Sequence, residues 1–267
     1  MAARGELLAQ GREAEVFLQP DGSVLKLMRD PAYADRVRNE AAALGVLERG
    51  GHAAPRPLEV VTVDGRPGLR MTRVEGEDLM TVLARQPLRF RTAAKAMARA
   101  HLAMHDCEAP GDLPDLREVL QARLETIEAL PDQLRGPALA VLDGLPSGDR
   151  LCHGDLHIGN MVGSWDAPQV IDWGDAARGD PVADVVRTEL IHRLGQPPPG
   201  APALIRVVAP IGGRLVATTY LATYRRERPI DRDLLRRWRI VRAAARLGEP
   251  IPEERTALLR FLHRHLT

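Results

Sequence analysis

Three oxygen-bearing side chains in the middle of the chain carry the clearest chemical signal. The segment Leu151-Cys-His-Gly-Asp-Leu-His-Ile-Gly-Asn160 supplies a carboxylate at Asp155 and an amide at Asn160, and Val170-Ile-Asp-Trp173 supplies a second carboxylate at Asp172. Carboxylates and amides are hard oxygen donors, suited to Mg²⁺ and poorly suited to zinc. Asp172 follows two β-branched residues, which predicts a strand end from which a side chain projects into a cleft. Asn160 lies five residues after Asp155, far enough for a loop to turn back and present both groups to one site. One metal-binding carboxylate, one amide completing the coordination and one carboxylate free to orient a nucleophile suffice for metal-assisted phosphoryl transfer. The plainer reading is a polar turn whose Asp and Asn bond their own backbone. Such a turn has no need of the second motif.

Phosphoryl transfer also needs a cation on the phosphates and a carboxylate to hold that cation. Of the 37 basic residues only Lys26 and Lys95 are lysines, and Asn39 and Asn160 are the only asparagines, so neither type is filler here. Strand alternation puts Val24, Lys26 and Met28 on one face and Leu25 and Leu27 on the other. An unpaired ammonium inside this apolar strand would cost several kcal/mol. In the following helix, Val37, Glu40, Leu44 and Leu47 share one face, which puts an acid on the apolar stripe. Lys26 and Glu40 answer each other; the alternative is that both side chains snorkel to water at an edge. Gly11 opens a loop, Gly11 to Phe17, that could cover phosphates, although it has a single glycine and would serve equally as a hairpin connection.

These groups must be carried by two kinds of structure. Leu7–Ala9, Glu15–Leu18, Val24–Met28, Leu58–Val63 and Leu69–Arg73 read as strands, with hairpin turns at Pro20–Ser23 and Asp64–Pro67 and a helix over Ala34–Glu48 between them. From Gly76 onward helices dominate: Leu88–Cys107, Leu116–Leu130, a short one over Pro137–Leu142 with proline first, one opening at Asp180-Pro181 and running through Leu194, then Ala203–Ala209, Arg214–Arg226, Asp231–Leu247 and Pro252–His265. A short β island, Leu151–His153, Met161–Gly163 and Val170–Ile171, interrupts them, and Pro197–Gly200 reads as a linker. The fold class is α+β, with a five-stranded antiparallel N-terminal lobe over residues 1–75 and a mainly helical lobe over 76–267.

His153-Gly154-Asp155-x-x-x-x-Asn160, followed by Ile171-Asp172-Trp173, resembles the catalytic and metal-binding loops of the aminoglycoside phosphotransferase and choline kinase family, which has a protein-kinase-like fold. Ile158 stands where family members often have proline, and Trp173 replaces the Phe of protein kinases. The resemblance implies that Asp155 accepts the proton of a substrate hydroxyl, that Asn160 and Asp172 hold Mg²⁺ against the phosphates of ATP or GTP, and that Lys26 and Glu40 form the phosphate-holding ion pair. It further implies that His153 braces the loop, that the Gly11 loop covers the phosphates and that adenine docks near Met71–Glu75. Asp180 and Asp184 match the Asp-Pro-x-x-Asp that follows in the family. Asp180 is explained as a helix N-cap, and Asp184 either pairs with Arg187 one turn on or braces the catalytic loop.

Other constellations are weaker. His101 and His105 lie one helical turn apart, but no third ligand stands near them in sequence, so packing explains them better than metal. Cys152, His153 and His157 come from one short strand-loop, a poor zinc set. Trp238 recurs with Leu234, Val241 and Ala245 as core, leaving Arg232, Arg236, Arg239 and Arg246 as a solvated face.

Composition bounds the rest. The 267 residues are 45% hydrophobic and 27% charged, with 37 basic against 36 acidic residues, which describes a globular chain and gives no case for nucleic acid as a partner. Two cysteines exclude a disulfide-stapled scaffold, and Met1–Glu15 is too charged for a signal peptide. The apolar stretch Val207–Thr223 is broken by Pro210, Gly212, Gly213 and Arg214, so no membrane span is expected and a cytoplasmic location is the default. Residues 182–267 hold 16 Arg against 8 acids, whereas the remainder holds 21 basic and 28 acidic residues. A pocket for polycations should be rich in carboxylates, so the expected acceptor is a neutral or anionic small-molecule alcohol rather than a classical aminoglycoside. Alternatives are a true aminoglycoside kinase conferring resistance, a metallophosphoesterase, suggested by Gly154-Asp155-Leu156-His157 but lacking the later Gly-Asn-His-Glu, and a nucleotide-binding regulator without turnover.

Overall fold

The computed structural model describes residues 5–195 and 203–267. Strands β1 (Glu6–Gln10), β2 (Ala14–Leu18), β3 (Val24–Met28), β4 (Pro57–Val63) and β5 (Arg66–Met71) form one antiparallel sheet in the order β1-β2-β3-β5-β4. Helix α1 (Ala34–Arg49) packs on one face, where Val37, Leu44 and Leu47 join Val24, Met28 and Leu69 in the main core. Leu25 and Leu27 turn the other way, into a small cluster with Phe17 and Val63. The alternation expected of β3 is therefore realised, and Lys26 enters the α1 side of a strand buried on both faces.

The second hairpin is tighter than its sequence suggests. Asp64 and Gly65 alone make the turn, both with positive φ (51° and 75°), and Arg66 and Pro67 already belong to β5. That pair of angles is the type I′ geometry whose twist matches the flanking strands. Pairing between β3 and β5 stops at Gly68, so Pro67, which has no N–H, lies beyond the doubly paired part of its strand.

The helical part comprises α2 (Leu79–Arg85), α3 (Phe90–His105), α4 (Leu116–Thr126), α5 (Asp132–Asp143), α6 (Pro181–Leu194), α7 (Ala203–Glu227), α8 (Arg232–Arg246) and α9 (Pro252–Leu266). Two small sheets, β6 (Arg150–Cys152) with β9 (Ala177–Gly179) and β7 (Met161–Gly163) with β8 (Pro168–Val170), lie between α5 and α6. Three expectations need correction. Helix α4 stops at Thr126, short of Leu130. Helix α5 begins at Asp132 and carries Pro137 inside it, because Leu134, Ala138 and Leu142 form a buried stripe that offsets the roughly 3 kcal/mol a mid-helix proline costs. The segments 203–209 and 214–226 are one helix, α7. Gly213 does not break it but lets it approach α6: a Cβ there would stand 2.2 Å from the His192 carbonyl oxygen. The linker expected at 197–200 lies outside the described residues. No helix among the described residues is long and apolar enough to cross a membrane.

Buried histidines give the core a pH dependence. Burial pushes His105 down to about 4 and His192 down to about 3, so both are neutral in the folded protein. In the unfolded chain they titrate near 6.5. Protons thus bind the unfolded state first, and the stability these residues contribute is complete above about pH 6.5 and declines below it. Denaturant unfolding should show a loss of about 2–3 kcal/mol between pH 7.5 and 5.5. A flat profile over that interval would show that these rings take up protons without unfolding.

Candidate active site

Lys26 is the meeting point of both parts of the molecule. Its Nζ donates to both Glu40 carboxylate oxygens (2.9 and 2.7 Å) and to Asp172 Oδ1 at 2.7 Å. Glu40 is nearly inaccessible (side chain 3% exposed) whereas Asp172 is half exposed (49%), so one partner anchors the ammonium and the other leads into the cleft. Burial pushes the Lys26 amine down, but the charges of Glu40 and Asp172 overrule it and hold its pKa above the ordinary value. Burial likewise pushes Asp172 up, and Lys26 outweighs it to leave the carboxyl below its usual range. Glu40 Oε1 also accepts the backbone N–H of Trp173 at 3.2 Å, tying α1 to the segment that carries Asp172. Asp172 itself has φ 66°, a left-handed conformation that few residue types adopt.

The loop after β6 is pinned from several sides. Asp184 of α6 accepts the backbone N–H of His153 (2.6 Å) and of Gly154 (2.9 Å). Of the two alternatives open for Asp184, this is the brace and not the pair with Arg187. His153 Nδ1 accepts the Asp155 N–H at 3.2 Å, which leaves Nε2–H to donate to the Ile171 carbonyl at 3.1 Å. The ring lies against Trp173 with centroids 4.5 Å apart, and burial pushes its pKa down, in keeping with a neutral imidazole. His153 therefore ties the Asp155 loop to the Asp172 segment. Gly154 must be glycine: its φ is +83° and a Cβ would stand 2.3 Å from the Asp175 carbonyl oxygen. Asn160 is 7% exposed, donates from Nδ2 to the Asp155 carbonyl (3.0 Å) and receives the Ile171 N–H on its own carbonyl (2.9 Å).

Asp155, Asn160, Asp172, Lys26 and Glu40 all line one cleft of about 1220 Å³. Gly11 lies on its rim, where its N–H closes the turn to the Ala14 carbonyl at 2.8 Å, and Met71, Thr72, Arg73 and Val74 line the same cleft. Asp172 and Asn160 offer it a carboxylate and an amide, an all-oxygen donor set that fits Mg²⁺. Asp180 stands apart from the cleft wall: one oxygen caps α6 through the Val182 N–H (2.8 Å), and the other accepts Trp238 Nε1 (2.8 Å).

Two groups at this site were not singled out from the sequence. Arg187 Nη2 donates to Asp155 Oδ1 at 2.9 Å, its Nε donates to the Gly154 carbonyl at 3.2 Å, and its Nη1 contacts Glu249. Glu249 follows α8, so this clamp on Asp155 draws on residues 32 and 62 positions from Arg187 itself. The only local signal was that Arg187 follows Asp184 by one helical turn. The arginine face expected of α8 is solvated at Arg232 and Arg236 but not at Arg239 and Arg246. Arg246 is 5% exposed and binds Glu254 (2.5 and 2.7 Å) and Glu249 (3.0 Å), and Arg239 forks onto Glu189 (2.8 and 2.7 Å). Trp238 is fully buried, as its spacing predicts.

The His101–His105 pair does meet a third group, contrary to the sequence-based expectation. Folding brings Asp184 Oδ2 to 3.4 Å from His101 Nε2 and 3.3 Å from His105 Nε2, all three residues being buried. The histidines face Tyr220 and Tyr224 hydroxyls through Nδ1 (2.5 and 2.9 Å). Asp184 thus receives two backbone N–H groups and the His105 ring, with His101 Nε2 close by but not hydrogen-bonded, and its pKa stays well below the usual range despite burial. Cys152 and His157 do not join a metal cluster among the described residues.

Solved structures with a similar architecture include kinases. An amicoumacin kinase in complex with AMP-PNP and Ca²⁺ superposes with a TM-score of 0.65 at 17% identity, covering 98% of this chain and 87% of the other. A thermostable mutant aminoglycoside phosphotransferase with ADP and hygromycin B gives 0.64 at 15% identity, covering 98% and 94%. At such identities the likeness speaks for the kinase-like fold. No curated protein sequence matches the chain. The family model described as "Phosphotransferase enzyme family" matches residues 4–215, which is most of the chain. With that match, the paired loops around Asp155 and Asp172 and the shared two-lobed fold, this chain belongs to the phosphotransferase enzyme family.

Proposed function

We propose that this enzyme transfers the γ-phosphoryl group of ATP or GTP, with Mg²⁺, to a hydroxyl of a small molecule whose charge is neutral or negative. The observation that carries this reading is the convergence of Lys26, Asp172, Asn160 and Asp155 on one cleft. Residues 1–75 would contribute the nucleotide-holding groups and 76–267 the catalytic loop and acceptor side. Asn160 and Asp172 would hold Mg²⁺, which supplies charge neutralisation on the phosphates. Lys26, kept charged by Glu40, would hold the phosphate oxygens, and the Gly11 turn would lie over them. A carboxylate is far too weak a base to ionise an alcohol in advance. Asp155 would instead orient the hydroxyl and take its proton late, as the new O–P bond forms and the bond to the departing nucleoside diphosphate breaks. Arg187 would hold one Asp155 oxygen in place, leaving the other for the hydroxyl. His153, Asp180 and Asp184 act on the surrounding structure.

The charge preference rests on the end of the cleft lined by α4, α6 and α8, where Arg123, Arg187, Arg242 and Arg246 stand beside Asp155 and Glu249, whereas the lining carboxylates Asp172 and Asp175 bind Lys26 and Arg36 of the N-terminal part. ADP or GDP release in the presence of Mg²⁺-nucleotide and an alcohol panel tests the reading. Turnover is expected with neutral or anionic alcohols. Selective use of kanamycin-like polycations would reverse the charge assignment, and phosphate release from monoesters without nucleotide would replace a kinase by a hydrolase.

A further inference from the structure

Resting on that reading, we propose that the acceptor carries an oxyanion, a carboxylate or a phosphate monoester, and that Arg242 is the residue that receives it. Arg242 lies on α8 and is 6% exposed, yet it lines the cleft that holds Asp155 and Arg187. Its Nε donates to the Ala183 carbonyl at 2.9 Å, which fixes the guanidinium plane. Its Nη2 is buried and has no hydrogen-bond partner in the protein. Among the described residues no carboxylate lies within 4 Å of it, whereas Arg239 and Arg246, one turn before and after, are each matched by Glu189 or by Glu254 and Glu249. The fold thus neutralises the arginines on either side and leaves this one charge open.

A buried guanidinium that no carboxylate contacts is unfavourable until a ligand supplies one. Burial pushes the Arg242 pKa down to about 10; the Asp184 carboxylate opposes this, Arg187 and Arg123 add to it, and the side chain keeps its charge at neutral pH. Arg123 of α4 adds a second cation to the same end of the cleft without an ion-pair partner among the described residues. A carboxylate or phosphate on the acceptor would satisfy Nη2 through the fork geometry for which Arg is suited, and it would fix the molecule at a distance from the hydroxyl presented to Asp155. An ammonium there would meet the positive charges of Arg242 and Arg123.

The test uses the full chain, ATP labelled at the γ-phosphate, and a small-molecule extract of the organism that encodes it, split on anion- and cation-exchange resins. Label is expected to enter a compound retained by the anion exchanger. Phosphatase treatment of that fraction beforehand separates the two sources: loss of acceptor identifies a phosphate monoester, retention a carboxylate. Arg242→Gln should raise KM for that acceptor at least about tenfold, with KM for ATP unmoved, and Arg242→Lys, which keeps the charge without the fork, should recover part of the difference. If Arg242→Gln does not fold, the Lys variant carries the comparison, with an acceptor KM raised several-fold. Transfer to a compound in the neutral or cationic fraction, or an acceptor KM insensitive to the Arg242 substitutions, overturns the proposal while leaving a kinase. Absence of transfer to every fraction by a chain that binds Mg²⁺-ATP counts against the kinase reading and removes this inference with it.

Discussion

Replacing Asp155 with Asn should lower phosphoryl transfer by at least about a hundredfold while nucleotide binding is unchanged. The amide keeps an oxygen for the Arg187 Nη2 donor, now 2.9 Å from Oδ1, so the clamp survives. Arg187 also retains Glu249, so no buried cation is stranded. What disappears is the ability to accept a proton, which is the one property the proposed mechanism requires of this residue. The Lys26 ion pairs involve Glu40 and Asp172, not Asp155, which is why nucleotide affinity should not follow. Single-turnover transfer measured beside nucleotide titration separates the two quantities. Wild-type-like turnover in Asp155→Asn would exclude Asp155 as the proton acceptor.

The larger loss is expected at Asp172. Asn is the conservative probe because position 172 has φ 66°, a conformation that Asn tolerates better than other non-glycine residues. Asp172→Asn keeps the backbone and an oxygen but removes the anion that would hold Mg²⁺ and that now binds Lys26 at 2.7 Å. A metal-held charge term of several kcal/mol corresponds to a rate loss of about a thousandfold or more. Stability should change little, since Lys26 still has both oxygens of Glu40. Asp172→Ala should lose the same activity and, in addition, about 1–2 kcal/mol of stability from the left-handed backbone. Parallel kinetics and thermal unfolding of the two variants therefore distinguish chemistry from strain. Retention of a tenth or more of the activity by the Asn variant would remove Asp172 from the metal site.

Much of this site is legible in the chain because its signals are local. Asp155 and Asn160 lie within one loop, and Asp172 ends a short apolar run; nothing distant is needed to recognise the pattern. Lys26 and Glu40 are readable for a different reason. Each is a charge on an apolar face, and a strand's twofold and a helix's 3.6-fold periods place both faces before any tertiary contact is known. Breaker rules read less well. Pro137 and Pro210 sit inside α5 and α7, and in α5 the buried stripe of Leu134, Ala138 and Leu142 offsets the lost hydrogen bond. The second partner of Lys26, Asp172, joins it across 146 positions and has no counterpart in either local period.

The order of elements, the faces of α1 and β3, and the chemical type of each group in the cleft are properties of the chain itself, because backbone geometry imposes the periods that reveal them. Which carboxylate meets which cation is decided by tertiary packing. Arg246 reads as a solvated residue yet is buried on Glu254, and Arg187 reads as a neighbour of Asp184 yet clamps Asp155 and Glu249. Asp184 gathers two backbone donors and two histidines from α3, which no spacing announces. The physical reason is that a buried charge must find a partner within a few ångströms. The identity of that partner depends on how helices far apart in sequence are laid against one another.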